Sequence, residues 1–274
     1  TSYVLFSGKI RSCGCFGDCI PLTPFQTFSK DLILLLMIIF LIRKGKYIEP
    51  VFKSAIPFTI VLASVIATCL LQMYVIEHLP VFDCLPYKKG NNILELRKMP
   101  ADAVPDKYEY SFVYEKDNVK KEFKATALPD STWKFVDRKQ TLVEKGKNNV
   151  PLINDFSLSD AEGADSTETI LNKEHYYLFF VRDMKEAKSD RWRNVFTDVV
   201  KKLKSQNIPV YIVTADTKNA NNFFNVISSY NFPVYTTDGI AIKTAARANP
   251  TLFEMKGPVV QAKYSWADLD ELIK

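Results

Sequence analysis

Two stretches near the start of the chain carry almost no polar residue. Residues 32–42 are eleven consecutive apolar positions, and with the turns from Phe25 the stretch reaches 18 residues, about the shortest length that crosses a bilayer. Residues 55–76 form a run of 22 without a charge, with Pro57 near its start, where proline is tolerated. The pattern predicts two transmembrane helices, at about 25–42 and 55–76. Residues 80–105 are broken by Pro80, Pro86, Gly90, Pro100 and Pro105 and read as irregular. Alternation of apolar and polar positions then predicts an antiparallel meander of strands at 108–114, 119–127 and 133–136.

From about residue 151 the periods alternate. Residues 176–181 and 210–213 are continuous apolar runs and predict buried strands. Residues 190–203 place Trp192, Val195, Phe196, Val199 and Leu203 on one helical face, and 219–230 do the same with Phe223, Phe224, Ile227 and Tyr230. Residues 251–255 and 259–264 predict a hairpin around Lys256-Gly257-Pro258. Ser265, with Asp268 three positions on, predicts a capped last helix. Strands and helices in this order predict a three-layer α/β/α unit. The fold class is therefore a membrane α-helical segment plus α/β. Its parts are a membrane fragment at 1–79, an irregular and β-rich connector at 80–150, and an α/β domain at 151–274.

Charge orients these parts. Residues 1–79 hold seven Lys/Arg against four Asp/Glu, and the rest of the chain holds 29 against 27. The loop at 43–53 has four cations and one acid, which predicts a cytoplasmic loop. The segment 8–24 and everything after His78 then lie outside the cytoplasm. No basic stripe with interleaved aromatics occurs, so nucleic acid is not an expected partner. Thr1 opens within what reads as an element, which leads to the expectation that further helices precede it.

Element order and entry segment resemble the thioredoxin fold. Residues 155–163, Asp-Phe-Ser-Leu-Ser-Asp-Ala-Glu-Gly, look like the N-terminal hairpin of TlpA-like and peroxiredoxin-like domains, and Pro250 stands where thioredoxin folds keep a cis-proline. The resemblance implies Cys-x-x-Cys at the start of the helix after the first buried strand, where the helix N-terminus lowers a thiol pKa. This chain has Arg182-Asp-Met-Lys-Glu-Ala-Lys-Ser189 there and no Cys beyond position 84. A domain of this kind is expected to bind or scaffold rather than to exchange thiols.

Ser12-Cys13-Gly14-Cys15-Phe16-Gly17-Asp18-Cys19, with Pro21 and an apolar helix behind it, resembles the DoxX-like and MauE-type membrane proteins over about residues 1–80. That resemblance implies an envelope thiol–disulfide role and location in a bacterial inner membrane with a periplasmic C-terminal domain. The implied partners are membrane lipid and other envelope or membrane subunits.

Of the five cysteines, Cys69 falls inside the second span and reads as a small packing residue. Cys13, Cys15, Cys19 and Cys84 all fall on the proposed outer side, where disulfides persist. Four cysteines allow three full pairings, and spacing does not choose among them. They read as structural disulfides, as an exchange-active set, or as a thiolate metal site from Cys13, Cys15 and Cys19 with His78 as fourth ligand. A quinone is the cofactor that a redox reading would admit, and none is required by any motif.

Other motifs fall short. Residues 210–214 resemble a strand of haloacid-dehalogenase phosphatases, but the Asp-x-Asp pair of that family is missing: Asp183 is followed by Met184 and Lys185. Asp155, Asp160, Glu162 and Asp165 do not fit a calcium loop and read as a solvated turn. Two function classes remain: an accessory or scaffolding subunit of an envelope complex, and a membrane redox factor acting at the cysteine loop and assisting maturation of periplasmic proteins.

Overall fold

The computed structural model describes residues 19–20, 22–47 and 56–274. The chain divides into two compact units, one comprising Thr1–Asn92 with Ser157–Lys274 and the other Ile93–Phe156. Sequence alone sets boundaries at 79/80 and 150/151, whereas the units divide at 92/93 and 156/157.

Two long helices lead the first unit, α1 (Pro24–Lys44) and α2 (Ile56–Glu77). Helix α1 starts at a capping box. Thr23 Oγ1 accepts from the Gln26 amide at 3.3 Å, and Gln26 Oε1 accepts from the Thr23 amide at 2.9 Å. Arg43 and Lys44 close its last turn. Both helices are long and apolar enough to cross a membrane. Among the described residues their side chains form no core: of α1 only Thr27 is buried, and Met37, Phe40 and Met73 are each more than half exposed. A helix that is apolar all round and buries nothing within its own protein requires an apolar medium or a partner.

The second unit holds a short helix α3 (Ile93–Leu96) and a sheet of β1 (Lys107–Lys116), β2 (Val119–Lys124) and β3 (Lys134–Glu144), in the order β2-β1-β3 and antiparallel throughout. Asp117 and Asn118, both at positive φ, turn β1 into β2 as a two-residue hairpin requires. Beyond β3 the chain returns to Val104, which pairs with Lys147. Gly146 permits this, since an added Cβ would lie 2.0 Å from the Val104 carbonyl oxygen. Strand β3 is far longer than the predicted 133–136.

The remainder of the first unit runs α4 (Thr167–Leu171), β4 (His175–Val181), α5 (Ser189–Ser205), β5 (Val210–Thr214), α6 (Thr217–Asn221), β6 (Val234–Thr236), α7 (Gly239–Ala245), β7 (Thr251–Lys256) and β8 (Val259–Ser265). The five strands are ordered β6-β5-β4-β7-β8. The first three are mutually parallel, and β7 and β8 are antiparallel to their neighbours. Strand β4 is buried on both faces, as a central strand between layers must be. Its odd residues Tyr177, Phe179 and Val181 pack with Trp192, Phe196 and Val199 of α5, and the Phe179 and Phe196 rings stack at 4.2 Å. Buried Ile170 and Leu171 of α4 and Ala241, Ile242 and Ala245 of α7 stand outside that cluster. This is a thioredoxin-like α/β domain by its own strand order and connections.

Several local expectations are corrected. The predicted helix at 219–230 is α6 running into a π-helical turn, Asn222–Ile227. Bonding to the fifth residue winds that turn more slowly, so Phe224 stays buried while Ile227 is carried out to 57% exposure. The last helix is a 3-10 turn, Leu269–Leu272. Ser265 still serves its start, donating to Asp268 Oδ2 at 2.7 Å. Strand β6 and helices α4 and α7 have no counterpart in the predicted elements. Residues 155–163 do not form a hairpin of strands; Ser159 makes isolated bridges to Asp165 and Thr236. Asp160 folds the turn by accepting from the amides of Glu162 and Ala164.

Candidate functional site

In a thioredoxin-like domain, chemistry is expected where β4 ends and α5 begins, opposite the loop before β7. Here that edge is tied shut by an amide. The Arg182 amide donates to Asn249 Oδ1 at 2.9 Å, and Asn249 Nδ2 donates to the Asp183 carbonyl at 3.0 Å. Arg182 and Glu186 form an ion pair within the loop. Trp192 Nε1 donates to the Ala187 carbonyl, fixing the loop onto the core. The Asn249–Pro250 peptide is cis, and the Pro250 carbonyl accepts from the Trp266 amide at 3.1 Å. Beside this edge, an open cleft of about 630 Å³ is lined by residues that include Arg182, Asp183, Asp216, Asp238 and Lys243. Asp238 caps α7, accepting from the Ile240 and Ala241 amides, and Asp216 holds Asn219, so both carboxylates already serve local structure.

The exit of α2 meets the same domain through two ion pairs and a histidine–carboxylate contact. Glu77 pairs with Arg191, whose guanidinium also lies 4.6 Å from the Trp266 ring. His78 Nδ1 lies 2.6 Å from Asp268 Oδ1, and the His78 ring stacks on Tyr74 at 4.3 Å. Asp83 Oδ2 accepts from Lys263 Nζ at 2.7 Å. The Lys263 side chain is 5% exposed and its ammonium is held below the ordinary lysine value by burial, opposed by Asp83. The main chain continues the attachment: Gly90 N donates to the Val260 carbonyl, Val260 N donates to the Asn91 carbonyl, and Asn92 bridges Val259.

Cys19 and Cys84 form a disulfide with Cα atoms 4.9 Å apart. It joins the residue stretch just before α1 to the proline-rich stretch after α2. Both cysteines are exposed, and they line a cleft of about 320 Å³ with Val75, Pro80, Phe82 and Arg247 among its walls. Arg247 stands three positions before Pro250, so the disulfide faces the loop that precedes β7. Cys13 and Cys15, like the rest of the 12–18 stretch, lie outside the described residues.

The metal-site expectation is altered in part. Cys19 is bound to Cys84 and His78 to Asp268, and among the described residues no group of three metal-ligating side chains gathers. Cys69 is exposed on α2 rather than packed within the chain. The residues that sequence reasoning missed are Glu77, Asp83, Arg191, Asn249, Lys263 and Asp268. The one local signal was a cluster of charge just past an uncharged run; the partners lie more than a hundred positions away.

Comparison with known proteins places these parts unevenly. Residues 108–145, the three-stranded sheet, match the family model described as Domain of unknown function (DUF8463). No curated protein matches the chain. Among solved structures, a thioredoxin-like protein from Bacteroides caccae is 18% identical, with 43% of this chain and 47% of that chain covered and a TM-score of 0.33. The chain thus spans about half the length of that neighbour. The pneumococcal exposed lipoprotein thioredoxin (Etrx1) of Streptococcus pneumoniae is 18% identical, covering 43% of this chain and 98% of that one at a TM-score of 0.32. A putative thiol:disulfide interchange protein DsbE from Chlorobium tepidum is 17% identical, with coverages of 44% and 92% and a TM-score of 0.31.

Proposed function

We propose that this chain is a membrane-anchored accessory subunit of a bacterial envelope complex, similar in its membrane part to DoxX- and MauE-type proteins, whose thioredoxin-like domain serves as a scaffold and not as a thiol catalyst. Helices α1 and α2 span the inner membrane as a hairpin with the 43–53 loop inside. The observation that carries the scaffold reading is the edge between β4 and α5. No cysteine stands in residues 182–188, and Asn249 bonds both to the Arg182 amide and to the Asp183 carbonyl across the place where a dithiol would face its substrate. Two ion pairs and the His78–Asp268 contact hold the domain against the exit of α2, which suits a rigid presenting surface. The Cys19–Cys84 bond supports the orientation. Its ends flank two spans, so they emerge on one side, and a disulfide persists on the oxidising side.

A second reading, a thiol–disulfide or quinone-linked redox factor, is favoured by one feature: both cysteines of that disulfide are exposed, in a cleft beside Arg247. An incoming thiolate would form a mixed disulfide with one sulfur and expel the other as a thiolate. Stepwise alkylation of rapidly quenched membranes separates the two. The scaffold reading expects Cys19 and Cys84 fully oxidised under every growth condition, and a Cys19→Ala/Cys84→Ala variant that keeps its stoichiometric partner. A partly reduced pair, or a mixed disulfide trapped by Cys84→Ala alone, gives the redox reading instead.

A further inference from the structure

The three-stranded sheet sorts its side chains by face in a way that neither proposed role uses. Paired residues of antiparallel strands share a face. One face carries Glu109, Glu115, Glu122 and Asp137 together with Lys120, Lys124, Lys134 and Lys139, as the pairings of β1 with β2 and β3 require. These charges satisfy one another: Lys139 pairs with Glu122 at 2.6 Å and Lys120 with Glu115 at 4.0 Å.

The other face is aromatic. Phe112 and Tyr114 of β1 meet Phe123 of β2 and Phe135 of β3, with ring centroids 5.8–6.3 Å apart, and Trp133 extends the cluster at 5.2 Å from Phe123. Tyr108 and Tyr110 continue it along β1. Two carboxylates stand at the ends of this face, Asp106 accepting from the Tyr108 hydroxyl and Asp130 from Thr132, which itself accepts from Lys116 Nζ, while the charged side chains that the strands themselves place on it are cations: Lys116, Lys121 and Arg138. Two of them lie over its rings, Lys121 Nζ 5.6 Å from Phe123 and Arg138 Cζ 5.3 Å from Tyr110. No residue of the three strands is buried; Phe135 remains 53% exposed and Leu142 46%. A single-layer sheet with a bare aromatic face lacks the second layer that sheets of this kind bury against.

We infer that this face lies on an anionic lipid surface. Tyrosine, tryptophan and lysine together are the residues that settle at the headgroup level, rings toward the acyl boundary and ammonium groups toward phosphate. A face to which the strands contribute cations and no carboxylate complements lipid phosphate. It opposes a second copy of itself, because a two-fold pairing would set cations against cations. The sheet begins at Lys107, thirty residues after the end of α2 at Glu77, so the anchor holds it within reach of the bilayer.

The inference rests on the anchoring reading above, and the test keeps the two apart. Full-length chain carrying benzoylphenylalanine at Phe135, or at Asp137 on the opposite face, is reconstituted in nanodiscs of phosphatidylcholine with phosphatidylglycerol, or of phosphatidylcholine alone, and irradiated. Position 135 is expected to form lipid adducts and position 137 none. The adducts should be stronger with phosphatidylglycerol and fall about fivefold for each of Lys121→Gln and Arg138→Gln. Equal adducts from both faces, no lipid adduct at 135, or a protein adduct there overturns the inference. Release of the native chain by alkaline carbonate overturns the anchoring reading instead.

Discussion

The chain contains two sheets built on opposite terms. In the five-stranded sheet β4 is buried on both faces and its rings interlock with α5. In the three-stranded sheet no strand residue is buried, and the rings touch only neighbours on their own face. The two share aromatic and β-branched content, so composition does not separate them. The difference lies in what covers the apolar face. A layered sheet draws its stability from side chains removed from water, whereas a bare one holds its shape through hairpin turns and cross-strand pairs and leaves its apolar face available.

The sharpest test of that difference is a pair of ring deletions followed by urea unfolding in detergent. Phe179→Ala empties a site that is 0% exposed and should cost about 3–5 kcal/mol, read from the emission of buried Trp192. Phe135→Ala removes a ring that is half exposed and should change the stability of its sheet by about 0.5 kcal/mol or less. Equal effects would mean that the second sheet is covered after all.

A smaller effect tests how the layered domain is held at the exit of α2. Asp83→Ala strands a lysine whose side chain is 5% exposed, and is expected to cost about 2–3 kcal/mol after allowance for the partial exposure of Asp83 itself. Lys263→Met removes the buried charge and should cost less than half as much. If the two variants unfold alike, the pair contributes nothing specific to the attachment.

The smallest effect is a pH dependence of the layered sheet. Burial raises the phenols of Tyr176, Tyr177, Tyr235 and Tyr264 above the ordinary value of 10. The unfolded chain loses these protons near pH 10 while the folded chain still keeps them. Stability from these groups is therefore complete below about pH 10 and declines as the pH climbs above it. Thermal midpoints recorded from neutral to strongly alkaline pH, alongside phenolate absorbance, should show unfolding coinciding with tyrosine ionisation. A midpoint unmoved above pH 10 contradicts the burial assigned to these rings.

How much of this was legible beforehand varies with how local the physics is. The apolar helices were readable because runs of 11 and 22 residues without a charge are a property of adjacent positions. Strands β4 and β5 and helix α5 were readable from their runs and period. Strand β3 was cut short in the prediction because Asp137-Arg138-Lys139-Gln140 lacks an apolar alternation, and a strand that buries none of its own residues needs none. Strand β6 is three residues long and exists through pairing with β5. The π-helical turn carried Ile227 off the predicted inner face. At the candidate site, the absence of cysteine from 182–188 was plain, while the role of Asn249 was invisible.

Sequence by itself determined the two apolar helices, strands β4 and β5, helix α5 and the lack of a dithiol after β4, because each follows from neighbouring residues or from a missing one. Tertiary structure alone decided that Cys19 bonds to Cys84, that Glu77, His78 and Asp83 find Arg191, Asp268 and Lys263, and that one face of the three-stranded sheet gathers rings and cations. Those outcomes join positions that are distant along the chain, and only the folded backbone sets which distant groups come within bonding distance.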